Sequence, residues 1–301
     1  MMEMEQALRK LLDPKGLRRG ELMKNHTTFQ IGGPADFFWE ATDEKKLADV
    51  IKLGNAMGFP MEIIGNGSNL LVSDAGISGL VIKIGEKMGA VQVHDNCMTV
   101  QAGVRLKTLC QSALKHSLSG LEFAYGIPGT LGGALTMNAG AYGGEMSHIL
   151  EFCRLITREG SIRTVTLDEM QMDYRSSRIH ETKEIIVEAQ IRLSSGSHEE
   201  IQALMTDYHQ RRSSRQPYHE PSAGSVFKRP PGHFAGQLIE TCQLKGVTVG
   251  GAKISEQHAG FIVNIGDATA GDVRQLMEMI ISRVKEVHGV VLEPEVRFLG
   301  I

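Results

Sequence analysis

The chain has 301 residues, a length that supports two or three domains with cores of their own, and 42% of them are hydrophobic. A net charge of −3, with no Lys- or Arg-rich block, argues against a nucleic-acid or polybasic membrane partner. The acidic opening residues 1–6 lack the apolar stretch of a signal peptide and no run approaches a membrane span. Cys97, Cys110, Cys153 and Cys242 are scattered in no metal or disulfide pattern, so a cytoplasmic, metal-free chain with reduced thiols is expected.

In chain order, Thr42-Asp43 is a capping signal for a helix over 43–57, with Leu47, Val50, Ile51 and Leu53 at helical spacing and Gly58 as its stop. Short apolar runs at 61–64, 70–72, 80–84, 91–93 and 98–100 read as strands. Leu106, Leu109, Cys110, Ala113 and Leu114 share one face of a helix over 105–116. Residues 151–157 and 161–167 form a hairpin around Arg158-Glu-Gly160, and 184–193 is a further strand. The character changes at Ser194-Ser-Gly-Ser197. A helix marked by Ile201, Leu204, Met205 and Tyr208 follows, giving way to a basic segment, 211–217, that reads as irregular and disordered. Val273, Leu276, Met277, Ile280, Ile281, Val284 and Val287 make the clearest amphipathic helix, capped by Gly289, before a strand at 295–299. The plan is α+β: a strand-rich N-terminal two-thirds and a smaller α/β C-terminal third.

Two glycine-rich stretches stand out. Residues 126–144 hold seven glycines in nineteen positions, which suits either a backbone surface pressed against a large, partly anionic cofactor or a turn-rich connection. Gly65-Asn-Gly-Ser-Asn69 lies between two apolar runs and reads either as a nest of amides for a pyrophosphate or as a hairpin turn. Neither stretch has the G-x-G-x-x-G or P-loop spacing of the common nucleotide motifs.

Six segments in order resemble one family: Ile31-Gly-Gly-Pro-Ala-Asp36, Ile64-Gly-Asn-Gly-Ser-Asn-Leu-Leu71, the run 126–144, Tyr174-Arg-Ser-Ser177, Pro221-Ser-Ala-Gly-Ser-Val-Phe-Lys-Arg-Pro230 and Leu292-Glu-Pro-Glu-Val-Arg297. Together they are similar to the UDP-N-acetylenolpyruvoylglucosamine reductases, the MurB flavoproteins of peptidoglycan synthesis. The resemblance implies an FAD-binding unit of the vanillyl-alcohol-oxidase or PCMH type, in two α+β subdomains over 1–83 and 84–196. A substrate-binding domain over 197–301 completes the chain, in the compact subtype that lacks an extra substrate-covering loop.

The implied reaction is NADPH-dependent reduction of the enolpyruvyl ether of UDP-N-acetylglucosamine to UDP-N-acetylmuramate, by a monomer. The resemblance assigns Ser225 as proton donor, Arg175 to the carboxylate that gains charge, and Glu295 as the third catalytic residue, with Glu293 as its near competitor. It assigns the flavin to Gly65, Asn66, Gly67, Ser68, Asn69, Gly126, Pro128, Gly129, Gly132, Gly133, Asn138, Gly140 and Ala141. Tyr174, Lys228, Arg215 and Gln216 fall to the UDP-sugar, and His258 to a structural role. Another FAD-linked oxidoreductase on the same fold and a non-catalytic nucleotide-sugar binder remain as alternatives.

Overall fold

A computed structural model describes residues 2–13 and 15–300. Its contacts divide into two units, each with one hydrophobic core.

The first unit comprises the chain up to Arg19, Phe37–Asn66 and Gly79–Arg211. Its larger sheets have four and five strands. One runs in the order Leu17–Leu22, Pro34–Glu40, Ile77–Lys83, Met61–Ile64, the last two strands parallel. The other is antiparallel, in the order Ile162–Thr166, Leu150–Ile156, Ile185–Arg192, Cys97–Gln101, Val91–His94. Alternation decides which side of a strand is buried: Met98 and Val100 are buried between the half-exposed Cys97, Thr99 and Gln101. The helix Glu44–Ala56 starts where the capping signal lies, the Asp43 carboxylate accepting from the Lys46 amide at 2.8 Å.

The second unit comprises Gly20–Asp36, Gly67–Ser78 and the chain from Arg212 onward. Its antiparallel sheet runs Ser222–Ser225, Phe261–Asn264, Ala252–Ile254, Thr248–Val249. The helix Ala270–His288 buries Val273, Leu276, Met277, Ile280 and Val284. A Thr269/Asp272 capping box opens it and Gly289, at φ 69°, closes it by donating to the Lys285 carbonyl.

These units differ from the linear division at 83/84 and 196/197. Phe29, Ile31 and Leu71 come from early segments yet pack in the core built by residues 223–296. Conversely, Ile201 and Met205 pack into the first core, so the helix His198–Arg215 begins in the first unit. That helix also corrects the irregular reading of 211–217. It continues to Arg215, with an Asp207–Arg211 pair one turn apart at 2.8 Å and the Gln216 amide donating to the Arg212 carbonyl. The last strand is shorter than expected, Arg297–Leu299, because the Glu295 amide donates instead to the Val226 carbonyl.

Candidate active site

The loop 65–69 is not a hairpin. Met61–Ile64 pairs in parallel with Ile77–Lys83, whereas Leu70–Val72 pairs in parallel with Arg297–Leu299, so its flanking strands lie in different sheets. No hydrogen bond within the described residues takes up the backbone amides of Gly65, Asn66, Gly67, Ser68 or Asn69. Five successive donors without an internal acceptor are what an anionic group such as a pyrophosphate needs.

Two of the glycines here are required by space. A Cβ on Gly65 would stand 2.5 Å from Thr130 Oγ1, so Gly65 lies directly against Thr130 of the glycine-rich run. Gly67 has φ +65°, and its Cβ would stand 2.0 Å from the His26 carbonyl oxygen. Gly67→Ala is therefore expected to destabilise the protein by roughly 2–4 kcal/mol, from left-handed backbone strain plus overpacking against backbone. Urea unfolding monitored by circular dichroism measures it; an unchanged midpoint would contradict the packing described.

The run itself is fixed from below: the amides of Leu131 and Gly132 donate to the Val104 and Ala102 carbonyls at 2.8 and 2.9 Å. Pro128 and Gly133 are exposed, and Gly126, Gly129, Gly140 and Ala141 half-buried. Asn138 differs. It is 1% exposed and its amide is engaged inside the protein, Nδ2 donating to Glu145 Oε1 and the Asp173 carbonyl, Oδ1 accepting from the Ser147 amide.

Arg175 belongs to the same unit. It sits at φ +54° in a turn closed by reciprocal amide–carbonyl bonds between Asp173 and Ser176. Its Nη2 donates to the Gly140 carbonyl at 3.1 Å, and its guanidinium lies 4.9 Å from the Tyr174 ring centre. Nearby, the Ser147 hydroxyl above all, then the Asn138 amide and the positive charges of His148 and Arg175, hold Glu145 below the usual carboxylate range despite partial burial. Tyr142, on the run, stacks on Tyr208 with ring centres 4.3 Å apart.

The second unit holds the other acid–base candidates. The strand Ser222–Ser225 is irregular between its two paired ends, and Gly224 has φ +78°; such a bulge re-aims the residue that follows, here Ser225. Phe227 bridges Pro294, the Glu295 amide donates to the Val226 carbonyl at 2.8 Å, and the Asn69 side chain donates to the Glu295 carbonyl at 3.1 Å. Ser225 and Glu295 thus lie on adjoining segments, with Asn69 tied to both the loop and Glu295.

Glu293 is separated from Glu295 by its surroundings. Its side chain is 73% exposed and pairs with Lys228 at 3.3 Å, while Glu295 is half-buried. Arg215 and Gln216, at the end of the helix His198–Arg215, make no interaction with Ser225, Lys228 or Glu295 among the described residues. His258 accepts from the Gly260 amide at 3.1 Å and packs edge-on against Phe261, and burial lowers its pKa. Among the thiols, Cys153 is buried, which pushes it up to about 12.

The sequence reading missed Glu145 and Ser147 as partners of the arginine turn, and Tyr208 as a partner of the run. Their signal is weak: a carboxylate and a hydroxyl two residues apart in a glycine-rich loop, and one tyrosine on a polar helix.

Comparison with known proteins gives a consistent result. The model of the UDP-N-acetylenolpyruvoylglucosamine reductase C-terminal domain matches residues 216–299, and that of an FAD binding domain matches residues 35–166. The chain is 48% identical to the UDP-N-acetylenolpyruvoylglucosamine reductase of Alkaliphilus oremlandii, over 98% of this chain and 97% of that one. It is 45% identical to the enzyme of the same name from Clostridioides difficile, over 96% and 95%. The crystal structure of the reductase from Thermus caldophilus superposes with a TM-score of 0.81 at 36% identity, covering 94% of this chain and 99% of the other. The grass pollen glucose dehydrogenase Phl p 4 shares 16% identity over 65% of this chain and 44% of its own, with a TM-score of 0.52, a likeness of fold alone.

Proposed function

The chain belongs to the UDP-N-acetylenolpyruvoylglucosamine reductase family, and on that premise we propose a site in which Ser225, Arg175 and Glu295 act on the enolpyruvyl group. The protein is an FAD-dependent oxidoreductase with NADPH as reductant, reducing the enolpyruvyl ether of UDP-N-acetylglucosamine to UDP-N-acetylmuramate for peptidoglycan synthesis. The observation that carries this is near-half identity over almost the whole of both chains.

The residues present fit FAD. The unsatisfied amides of Gly65–Asn69 suit its pyrophosphate, and the exposed or half-buried Gly126, Pro128, Gly129, Gly132, Gly133, Gly140 and Ala141 form a wall that a flat ring system can approach closely. Bound FAD supplies hydride transfer from NADPH to the methylene carbon of the enolpyruvyl group. Negative charge then develops on the neighbouring carbon and spreads into the carboxylate. The Arg175 guanidinium, a fixed fork of donors, stabilises that charge, and the Ser225 hydroxyl gives its proton to the carbon. Glu295, half-buried and tied through its backbone to the strand behind Ser225, orients that region. Tyr174, Lys228, Arg215 and Gln216 are proposed for the UDP-sugar. For Lys228 this requires exchanging its exposed pair with Glu293 for a phosphate, a small loss at most.

The proposed setting is the cytoplasm, with the protein working as a monomer and with neither nucleic acid nor membrane as partner. The net charge of −3 speaks against a nucleic-acid partner, and among the described residues no helix is long and apolar enough to cross a membrane. The purified protein is expected to be yellow and to convert the enolpyruvyl nucleotide and NADPH to UDP-N-acetylmuramate, read by mass spectrometry. A colourless protein that takes up no FAD would overturn the redox reading.

A further inference from the structure

Asn138 follows the helix Leu131–Thr136 at φ +40°, a left-handed position that asparagine tolerates better than most residues. A carboxamide has two N–H donors and one oxygen. Here both donors are engaged, to Glu145 Oε1 at 3.1 Å and to the Asp173 carbonyl at 3.2 Å, and the oxygen accepts from the Ser147 amide at 3.0 Å. With 1% of its surface exposed, Asn138 offers little to a ligand.

What Asn138 does hold is the turn carrying Arg175. Asp173 opens that turn, and two further bonds reach it from the same run: Ser177 Oγ donates to the Thr136 carbonyl at 2.8 Å, and Arg175 Nη2 donates to the Gly140 carbonyl at 3.1 Å. On the far side of the turn Arg178 pairs with the buried Glu184 at 3.3 Å, and Glu184 is held in turn by Arg163 at 2.6 Å. The turn is thus fixed at both ends, and the Asn138 side chain links it to Glu145 and Ser147 as well as to the glycine-rich run.

We infer that Asn138 is a positioning residue for the reduction, bolting the Asp173–Ser176 turn to the glycine-rich run so that the Arg175 guanidinium stays fixed as the substrate carboxylate gains charge. The inference rests on the role given to Arg175 above. Glu145 is part of the same device: it accepts from Asn138 and from the Ser147 hydroxyl, and it lies close enough to Arg175 for the two charges to interact.

The informative variant is Asn138→Gly, because glycine accepts the positive φ without strain and removes only the carboxamide. Stopped-flow absorbance of the flavin separates the two half-reactions. Reduction by NADPH is expected within about threefold of the parent, while reoxidation by the enolpyruvyl nucleotide slows roughly 10²-fold, the scale of a misplacement near 1 Å. In steady state kcat falls with little change in KM for the nucleotide, as for an interaction made in the transition state.

Parental reoxidation, or equal slowing of both half-reactions, would overturn the inference. So would a folded variant that no longer holds FAD, which would make Asn138 a flavin ligand. Should Asn138→Gly not fold, Glu145→Gln carries the test. It keeps the acceptor for Asn138 and Ser147 and removes the charge beside Arg175, so the same half-reaction is expected to slow about tenfold and an unchanged one contradicts the proposal. A parent protein that the nucleotide does not reoxidise would overturn the reading of the reaction, and this inference with it.

Discussion

Ser225→Ala is expected to leave reduction of the flavin by NADPH near its parental rate and to slow reoxidation by the enolpyruvyl nucleotide by roughly 10²–10⁴, the usual worth of a general acid. The asymmetry follows from where the proton is needed. Hydride transfer to the flavin requires nothing from Ser225. Once the methylene carbon has gained a hydride, its neighbour carries charge that must be quenched by a proton. A serine hydroxyl is a weak acid, and in the proposed role this is tolerated because the carbon to be protonated is strongly basic. Ser225 follows a bulge at Gly224, and its strand is held from behind by the Glu295 amide on the Val226 carbonyl. Removing one oxygen leaves this frame in place, so FAD content and unfolding midpoint should match the parent. Equal reoxidation rates in variant and parent would remove Ser225 from the mechanism.

Arg175→Lys is expected to lower kcat and kcat/KM for the nucleotide together, by roughly 10²-fold, corresponding to loss of a charge-assisted hydrogen bond of about 1.5–3 kcal/mol. An ammonium keeps the charge but not the fork. It also loses the anchor, because Arg175 spends one terminal nitrogen on the Gly140 carbonyl and rests against the Tyr174 ring. Flavin reduction by NADPH should again be spared. Steady-state kinetics with the nucleotide varied measures the effect, and near-parental turnover would mean that a point charge suffices.

Local features of the fold were legible where a local cause sets them. The Asp43 cap, the apolar stripe of Ala270–His288 and its Gly289 stop depend on neighbours within a turn or two. Unit boundaries were less legible, because Phe29, Ile31 and Leu71 join a core supplied by residues about two hundred positions later; Thr28 Oγ1, for example, donates to the Ser222 carbonyl at 2.7 Å. The irregular reading of 211–217 overlooked that Asp207 lies one turn before Arg211, so the basic end of that helix has an acidic partner.

The candidate site divides in the same way. The spacing at 65–69 fits both a hairpin and an amide nest, and only the pairing partners of the flanking strands separate them. Glu293 and Glu295 look alike in sequence and differ in surroundings, one exposed on Lys228 and the other half-buried. Asn138 stands among glycines that fit a cofactor wall, but its partner carbonyl on Asp173 is thirty-five residues away.

Anaerobic single turnover tests the central claim most directly. The purified protein is first bleached with one equivalent of NADPH, then mixed with the enolpyruvyl nucleotide. Return of the oxidised flavin spectrum with one equivalent of UDP-N-acetylmuramate is the result expected of an enolpyruvyl reductase. A flavin that bleaches with NADPH and stays reduced in the presence of the nucleotide would contradict it.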